Sequence, residues 1–171
     1  DYQPGFKFRG LNDPNIFFDD NHKRMVQNYR NAFLRLTLYY IGQGKNDLAV
    51  NTLDNMEEKL PNKLISMDYG LLYEISNLYL RAGAKDKFNK FSEEVERQAL
   101  EKLEKDPSDV QSYYNPYRIL IDLYEAQGRN DKLLEVWQKL ESIFPEDPNV
   151  KANVQKYRNL VQGKVDTSKI Q

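Results

Sequence analysis

The stretch YRILIDLYEAQGRNDKLLEVWQKLESIFP, residues 117–145, carries the reading of the fold. Its first half sets Tyr117, Leu120 and Tyr124 three and four residues apart, the spacing of one face of an α-helix. Gly128 interrupts that pattern, Leu133, Trp137 and Leu140 resume it, and Pro145 ends it. The result is two short helices, each with one apolar stripe, joined at a glycine. The same phrase stands upstream as Phe33, Leu36, Tyr40, Gly44, Ala49, Leu53 and Pro61. It returns as Leu72, Ile75, Tyr79 and Gly83, here with Phe88 where a small residue stood and without the closing proline. The glycines lie 39 residues apart (44 to 83) and then 45 (83 to 128).

Working outward, Asp19, Asp20 and Asn21 offer N-cap side chains and favourable charge for a first helix. On that helix Met25, Tyr29, Ala32, Phe33, Leu36 and Tyr40 form the predicted inner face, and Gly42 and Gly44 end it. A second helix is predicted over 45–60 with Leu48, Ala49, Leu53 and Met56 in line, a third over 69–82, and a fourth carrying Phe88, Phe91 and Val95 to about Lys105. Ser108 to Gln111 has the form of a capping box, with Asn115-Pro116 as the alternative start of the next helix. A last helix over 148–162 turns Val150, Val154, Tyr157 and Val161 inward, and 163–171 reads as a frayed tail. Residues 1–18, broken by Pro4, Gly5, Gly10 and Pro14, form an irregular leader whose Tyr2, Phe6, Phe8, Phe17 and Phe18 are expected to pack across the first helices.

The phrase resembles the tetratricopeptide repeat, which sets a large residue, Leu, Tyr and Gly on one helix, then a small residue, a large one and Pro on the next. Against that family's period of 34, the glycine spacings carry an excess of 5 and 11 residues, placed between units and in the second helix of the second unit. The resemblance implies an all-α fold: a right-handed array of about three helical hairpins (30–63, 69–106 and 114–147) with a capping helix over 148–162, the whole repeat domain spanning 19–162.

The leader carries a second resemblance. Phe6-Lys7-Phe8-Arg9-Gly10-Leu11-Asn12-Asp13-Pro14, with Asp19, Asn21, Arg24, Asn28, Tyr29 and Arg30, is similar to the start of the C-terminal region of bacterial polytopic membrane proteins of Bacteroidetes type that look like protein O-mannosyltransferases. That likeness covers roughly residues 6–100. It implies a membrane domain upstream that holds the catalytic acidic residues, and a closing domain on the periplasmic side of the inner membrane. The opening residue, Asp1, fits a piece of a longer protein or a processed form.

Composition narrows the chemistry. Basic and acidic residues nearly balance, 25 to 26, so there is no basic stripe of the kind that displaces counterions from nucleic acid. Cysteine is absent and His22 is the lone histidine, which leaves no thiolate site, no His-based triad and no expected metal or cofactor. Asp19-Asp20, Glu57-Glu58 and Glu93-Glu94 are read as caps and solvated faces rather than paired catalytic carboxylates. The chain is therefore read as non-catalytic, with a protein or peptide partner and the parent chain's membrane domain as its contacts. The alternative is a free-standing peptide-binding adaptor of the same fold.

Such arrays bind partners in the groove formed by their first helices. By register its candidates are Asn31, Leu34, Arg35 and Leu38, then Tyr73, Glu74 and Asn77, then Arg118, Asp122 and Glu125. Members of the repeat family that bind chaperone tails use Lys and Asn where Leu34 and Leu38 stand, so recognition of a terminal carboxylate is not expected. Tyr73, Tyr113 and Tyr114 fall outside the packing register and are candidates for exposed contacts, whereas Tyr40, Tyr79, Tyr124 and Trp137 are assigned to the core.

Overall fold

Asp19 starts the first helix as expected: its backbone is extended and its carboxylate accepts the His22 N–H at 2.8 Å. The computed structural model describes residues 7–167, and side chains through residue 163. Among these residues there are seven helices and no strand, so the fold is all-α. They are α1 (Asp20–Gly42), α2 (Asn46–Lys59), α3 (Tyr69–Arg81), α4 (Lys85–Lys105), α5 (Pro116–Gln127), α6 (Asn130–Ile143) and α7 (Pro148–Thr167). None of them is long and apolar enough to cross a membrane. Tyr2 and Phe6 of the leader, with Pro4 and Gly5, lie outside the described residues, as do residues 168–171.

One turn is built three times. Gly44, Gly83 and Gly128 each adopt the left-handed conformation, with φ of 68°, 80° and 68°. In each copy the N–H of the next residue reaches back to a tyrosine carbonyl, as Lys45 to Tyr40, Ala84 to Tyr79 and Arg129 to Tyr124, all at 2.9 Å. This bond satisfies a carbonyl that the helix end leaves without a partner, and glycine takes the required φ without a Cβ penalty. The following helix then begins at once, with Ala49, Phe88 and Leu133 donating to Lys45, Ala84 and Arg129. Asn115, not Ser108, caps α5: its carboxamide oxygen accepts from Tyr117 and Arg118, with Pro116 in the first turn. The helix α7 runs on to Thr167 through much of the expected tail.

The chain divides into two compact units, 1–92 and 93–171, the boundary falling inside α4 and within the stretch read as the second repeat. In the first unit α1 lies against α2, and α3 against both. Its core is Ala49, Leu53, Met56, Leu60, Ile65, Leu72, Ile75, Tyr79 and Phe88, each at most 1% exposed. In the second unit α6 lies against α5 and α7. Val95, Ala99, Ile119, Leu120, Leu123, Tyr124, Leu133, Val154 and Tyr157 are buried there.

The inner face of α1 differs from the expectation. Met25 is 63% and Leu36 43% exposed, and Ala32 is exposed too, whereas Val26, Arg30 and Thr37 are buried. Arg30 and Thr37 tolerate that position because each finds a carbonyl, Thr37 that of Phe33 at 2.9 Å and Arg30 those of Leu60 (3.0 Å) and Ile65. Of the leader, Phe8 does pack on α1, its ring 5.6 Å from Tyr29 and 5.7 Å from Phe33, and Phe18 is buried, but Phe17 points to solvent.

Candidate functional site

The ten groove candidates are divided between the two units, with α1 and α3 supplying seven to the first and α5 three to the second. On α1, Asn31, Arg35 and Leu38 are exposed and Leu34 is half-buried, so one side of this helix presents a mixed polar and apolar surface. The Arg35 side chain has no hydrogen bond or ion pair among the described residues. On α3, Glu74 is exposed and Asn77 half-buried. Tyr73 is a correction: only 9% exposed, its ring belongs to the core of the first unit and offers a partner almost no surface. Its position one residue beyond Leu72, on a helix apolar over most of its circumference, puts it inside.

On α5, Arg118, Asp122 and Glu125 are all exposed. Arg118 donates to the Tyr113 carbonyl at 3.0 Å, and Glu125 accepts from the Tyr157 hydroxyl of α7 at 2.7 Å. Glu125 therefore ties the last helix to α5. Tyr113 is 78% exposed and meets Tyr114 edge-to-face with ring centroids 4.8 Å apart, making an aromatic corner at the entrance to α5. A cleft of about 370 Å³ opens elsewhere in the second unit. Its walls are Leu100, Leu103, Tyr117 and Ile143, with Glu104 and Lys139 beside them.

Several functional-looking polar groups turn out to be fastenings. Glu57, expected on a solvated face, is half-buried near Arg30. Burial pushes its carboxyl above the usual range, and the N–H of Asn62, donated at 3.1 Å, works against that shift. Burial likewise draws the Arg30 guanidinium down to about 10, opposed by Glu57, so it stays charged at neutral pH. Together they close the turn between α2 and α3. Asp54 and Glu96, which sequence reading passed over, each gather a buried tyrosine and a cation. Asp54 takes Tyr79 (2.9 Å) and Lys87 (3.0 Å), and Glu96 takes Tyr124 (2.9 Å) and Arg129 (2.6 Å). Burial is the main reason both phenols are pushed well above the ordinary tyrosine value, and the acid each one bonds adds to it.

His22 is bonded to the capping carboxylate of Asp19, and no cluster of three or more His, Asp or Glu suited to a metal occurs among the described residues. Glu94 is held by Arg97 and Gln98, and the Arg97 hydrogen bond lowers its carboxyl. Trp137 is half-buried, its indole N–H enclosed. What these residues offer is surface for contact, with polar groups committed mainly to structure. No protein-family model matches the chain, and no curated protein matches it.

Proposed function

We propose that this chain is a non-catalytic interaction or assembly domain of tetratricopeptide type, a right-handed array of about three helical hairpins closed by α7. The observation that carries this reading is the threefold glycine turn, with a left-handed φ, a bond to the equivalent tyrosine carbonyl and an immediate helix restart at Gly44, Gly83 and Gly128. One turn repeated at that spacing is the mark of stacked hairpins, each burying its apolar face on a neighbour. By the likeness of its leader, the domain belongs to a membrane protein similar to protein O-mannosyltransferases and sits on the periplasmic side. There it positions the enzyme against an acceptor protein or an envelope partner, and the sugar chemistry lies in the membrane domain. Arg118, Asp122 and Glu125 on α5, with Asn31, Leu34, Arg35, Leu38, Glu74 and Asn77 on α1 and α3, are the contact residues of this reading.

The experiment is crosslinking in membranes that hold the full-length parent protein, with a photoreactive side chain at Asp122 or Glu74. Capture of a specific envelope protein, lost on Arg118→Glu, supports the proposal. Two results overturn it: a parent gene encoding no membrane helices, or capture of a soluble partner by a chain that never meets a membrane. The second result makes the chain a free-standing adaptor.

A further inference from the structure

α1 carries two apolar faces, and the core accounts for one. The other is the stripe Met25, Ala32, Leu36 and Tyr39, spaced by seven, four and three residues and so in line along one side of the helix. Met25 is 63%, Leu36 43% and Tyr39 58% exposed. The stripe is about 21 Å long at 1.5 Å per residue, room for four turns of a second helix. Phe8 covers the neighbouring Tyr29 and Phe33 and leaves these side chains in the open.

Two observations say what covers the stripe. The first is register. Leu36 stands eight residues before Gly44, as Ile75 stands before Gly83 and Leu120 before Gly128, yet Ile75 and Leu120 are fully buried. Ile75 lies on α3, which has α1 and α2 against it, whereas no helix precedes α1 among the described residues. A cover of the kind that buries Ile75 would be helical. The second is charge. α1 has four basic residues and one acid, Asp20, which is paired with Lys23 at 3.3 Å. Arg24 and Arg35 lie along one edge of the stripe, Arg35 one turn from both Ala32 and Tyr39. A second copy docking through the same stripe would set these cations against their own kind.

We propose that the Met25–Ala32–Leu36–Tyr39 stripe docks an amphipathic helix of a partner protein, apolar on its contact face and acidic along the edge that meets Arg24 and Arg35. The register step rests on the repeat reading; the exposure and the charge do not. The two surfaces share Arg35, but crosslinking at Asp122 or Glu74 and peptide binding at Leu36 read them apart, so the two proposals fail separately.

The test uses the whole chain and a labelled peptide of about 18 residues, long enough for a stable amphipathic helix. One version carries leucines on one face with glutamates beside them, and its twin has lysines for the glutamates. Fluorescence anisotropy is expected to show the glutamate peptide binding at least about tenfold more tightly than its twin. Leu36→Glu and Arg35→Glu are each expected to weaken it about tenfold or more. Amide shifts should fall on 25–39 and spare α5. Both variants alter exposed side chains, so an unchanged circular dichroism spectrum certifies the fold. No binding, equal binding of the twin, or binding indifferent to Leu36→Glu overturns the proposal. So does a self-associated chain that Leu36→Glu dissociates, since the occupant is then a second copy. The crosslinking result at α5 is unaffected by any of these outcomes.

Discussion

The Tyr79 hydroxyl donates to Asp54 at 2.9 Å, and Tyr124 repeats the bond to Glu96 at the same distance. In each case the tyrosine comes four residues before a left-handed glycine and the acid lies on the preceding helix, 25 or 28 residues back. Tyr40, the third tyrosine in this position, has no helix before it among the described residues and faces Tyr39 at 5.8 Å instead. The acid–tyrosine bond is thus a second repeated device beside the glycine turn, joining one helix to the next.

Removing the Tyr79 hydroxyl should show its worth. Tyr79→Phe is expected to cost about 1.5–3 kcal/mol, the range of a hydrogen bond to a charged acceptor, because the residue is 1% exposed and its ring packing is kept. A double-mutant cycle with Asp54→Ala, read by urea unfolding, checks this: a coupling near zero would mean that Lys87 alone satisfies the carboxylate.

The same phenols set a pH response. Tyr79, Tyr117, Tyr124 and Tyr157 all hold their protons above the ordinary value of 10, chiefly through burial. A group whose folded pKa is raised contributes stability that is complete below its unfolded pKa and lost as pH climbs toward the folded one. Melting temperature should therefore fall above pH 10, with Arg30, whose folded value lies below its unfolded one, pulling the other way over that range. Unfolding followed from pH 8 to 11 tests it, and a flat profile would contradict the burial of these hydroxyls.

Equivalent aliphatic positions should behave unequally. Leu120→Ala and Ile75→Ala empty a sealed core and are expected to cost about 2–5 kcal/mol. Leu36→Ala, at the same register but 43% exposed, should cost less than about 1 kcal/mol. Denaturant midpoints of the three variants decide; a large loss at Leu36 would mean that the chain already covers it.

The glycine turns make a cleaner case. An added Cβ at Gly83 or Gly128 meets nothing within 4 Å, so the penalty of alanine there is conformational alone. Gly128→Ala should cost about 1–2 kcal/mol, the price of the left-handed region for an L-residue, and Gly128→Asn less. A neutral alanine at either site in thermal melts would argue that the turn relaxes.

Much of the helical layout was legible because its signals are local. Asp19, Asn115-Pro116 and the three glycines mark helix ends by side-chain chemistry within a few residues. The inner face of α1 was not, because the helix carries two apolar stripes and periodicity favours the more apolar one. Burial went instead to Arg30 and Thr37, whose carbonyl partners no spacing rule reveals, Leu60 and Ile65 lying 30 and 35 residues from Arg30. Asp54 and Glu96 escaped for the same reason, and Tyr73 was misjudged because a helix buried on most sides leaves no outer face to infer.

Arg30 also bears on how proteases see this chain. Lys59 ends α2 and Lys63 stands in the turn after it, both natural sites for trypsin, yet the backbone there is fastened from beneath at the Leu60 and Ile65 carbonyls. Cleavage needs several residues drawn out into an extended strand. A guanidinium that must first be pulled from the core makes that motion slow. In limited digestion these two lysines should therefore be cut far more slowly than in a variant that lacks the Arg30 guanidinium. Exchanging Arg30 for methionine should turn the best-guarded bend of the first unit into its earliest nick.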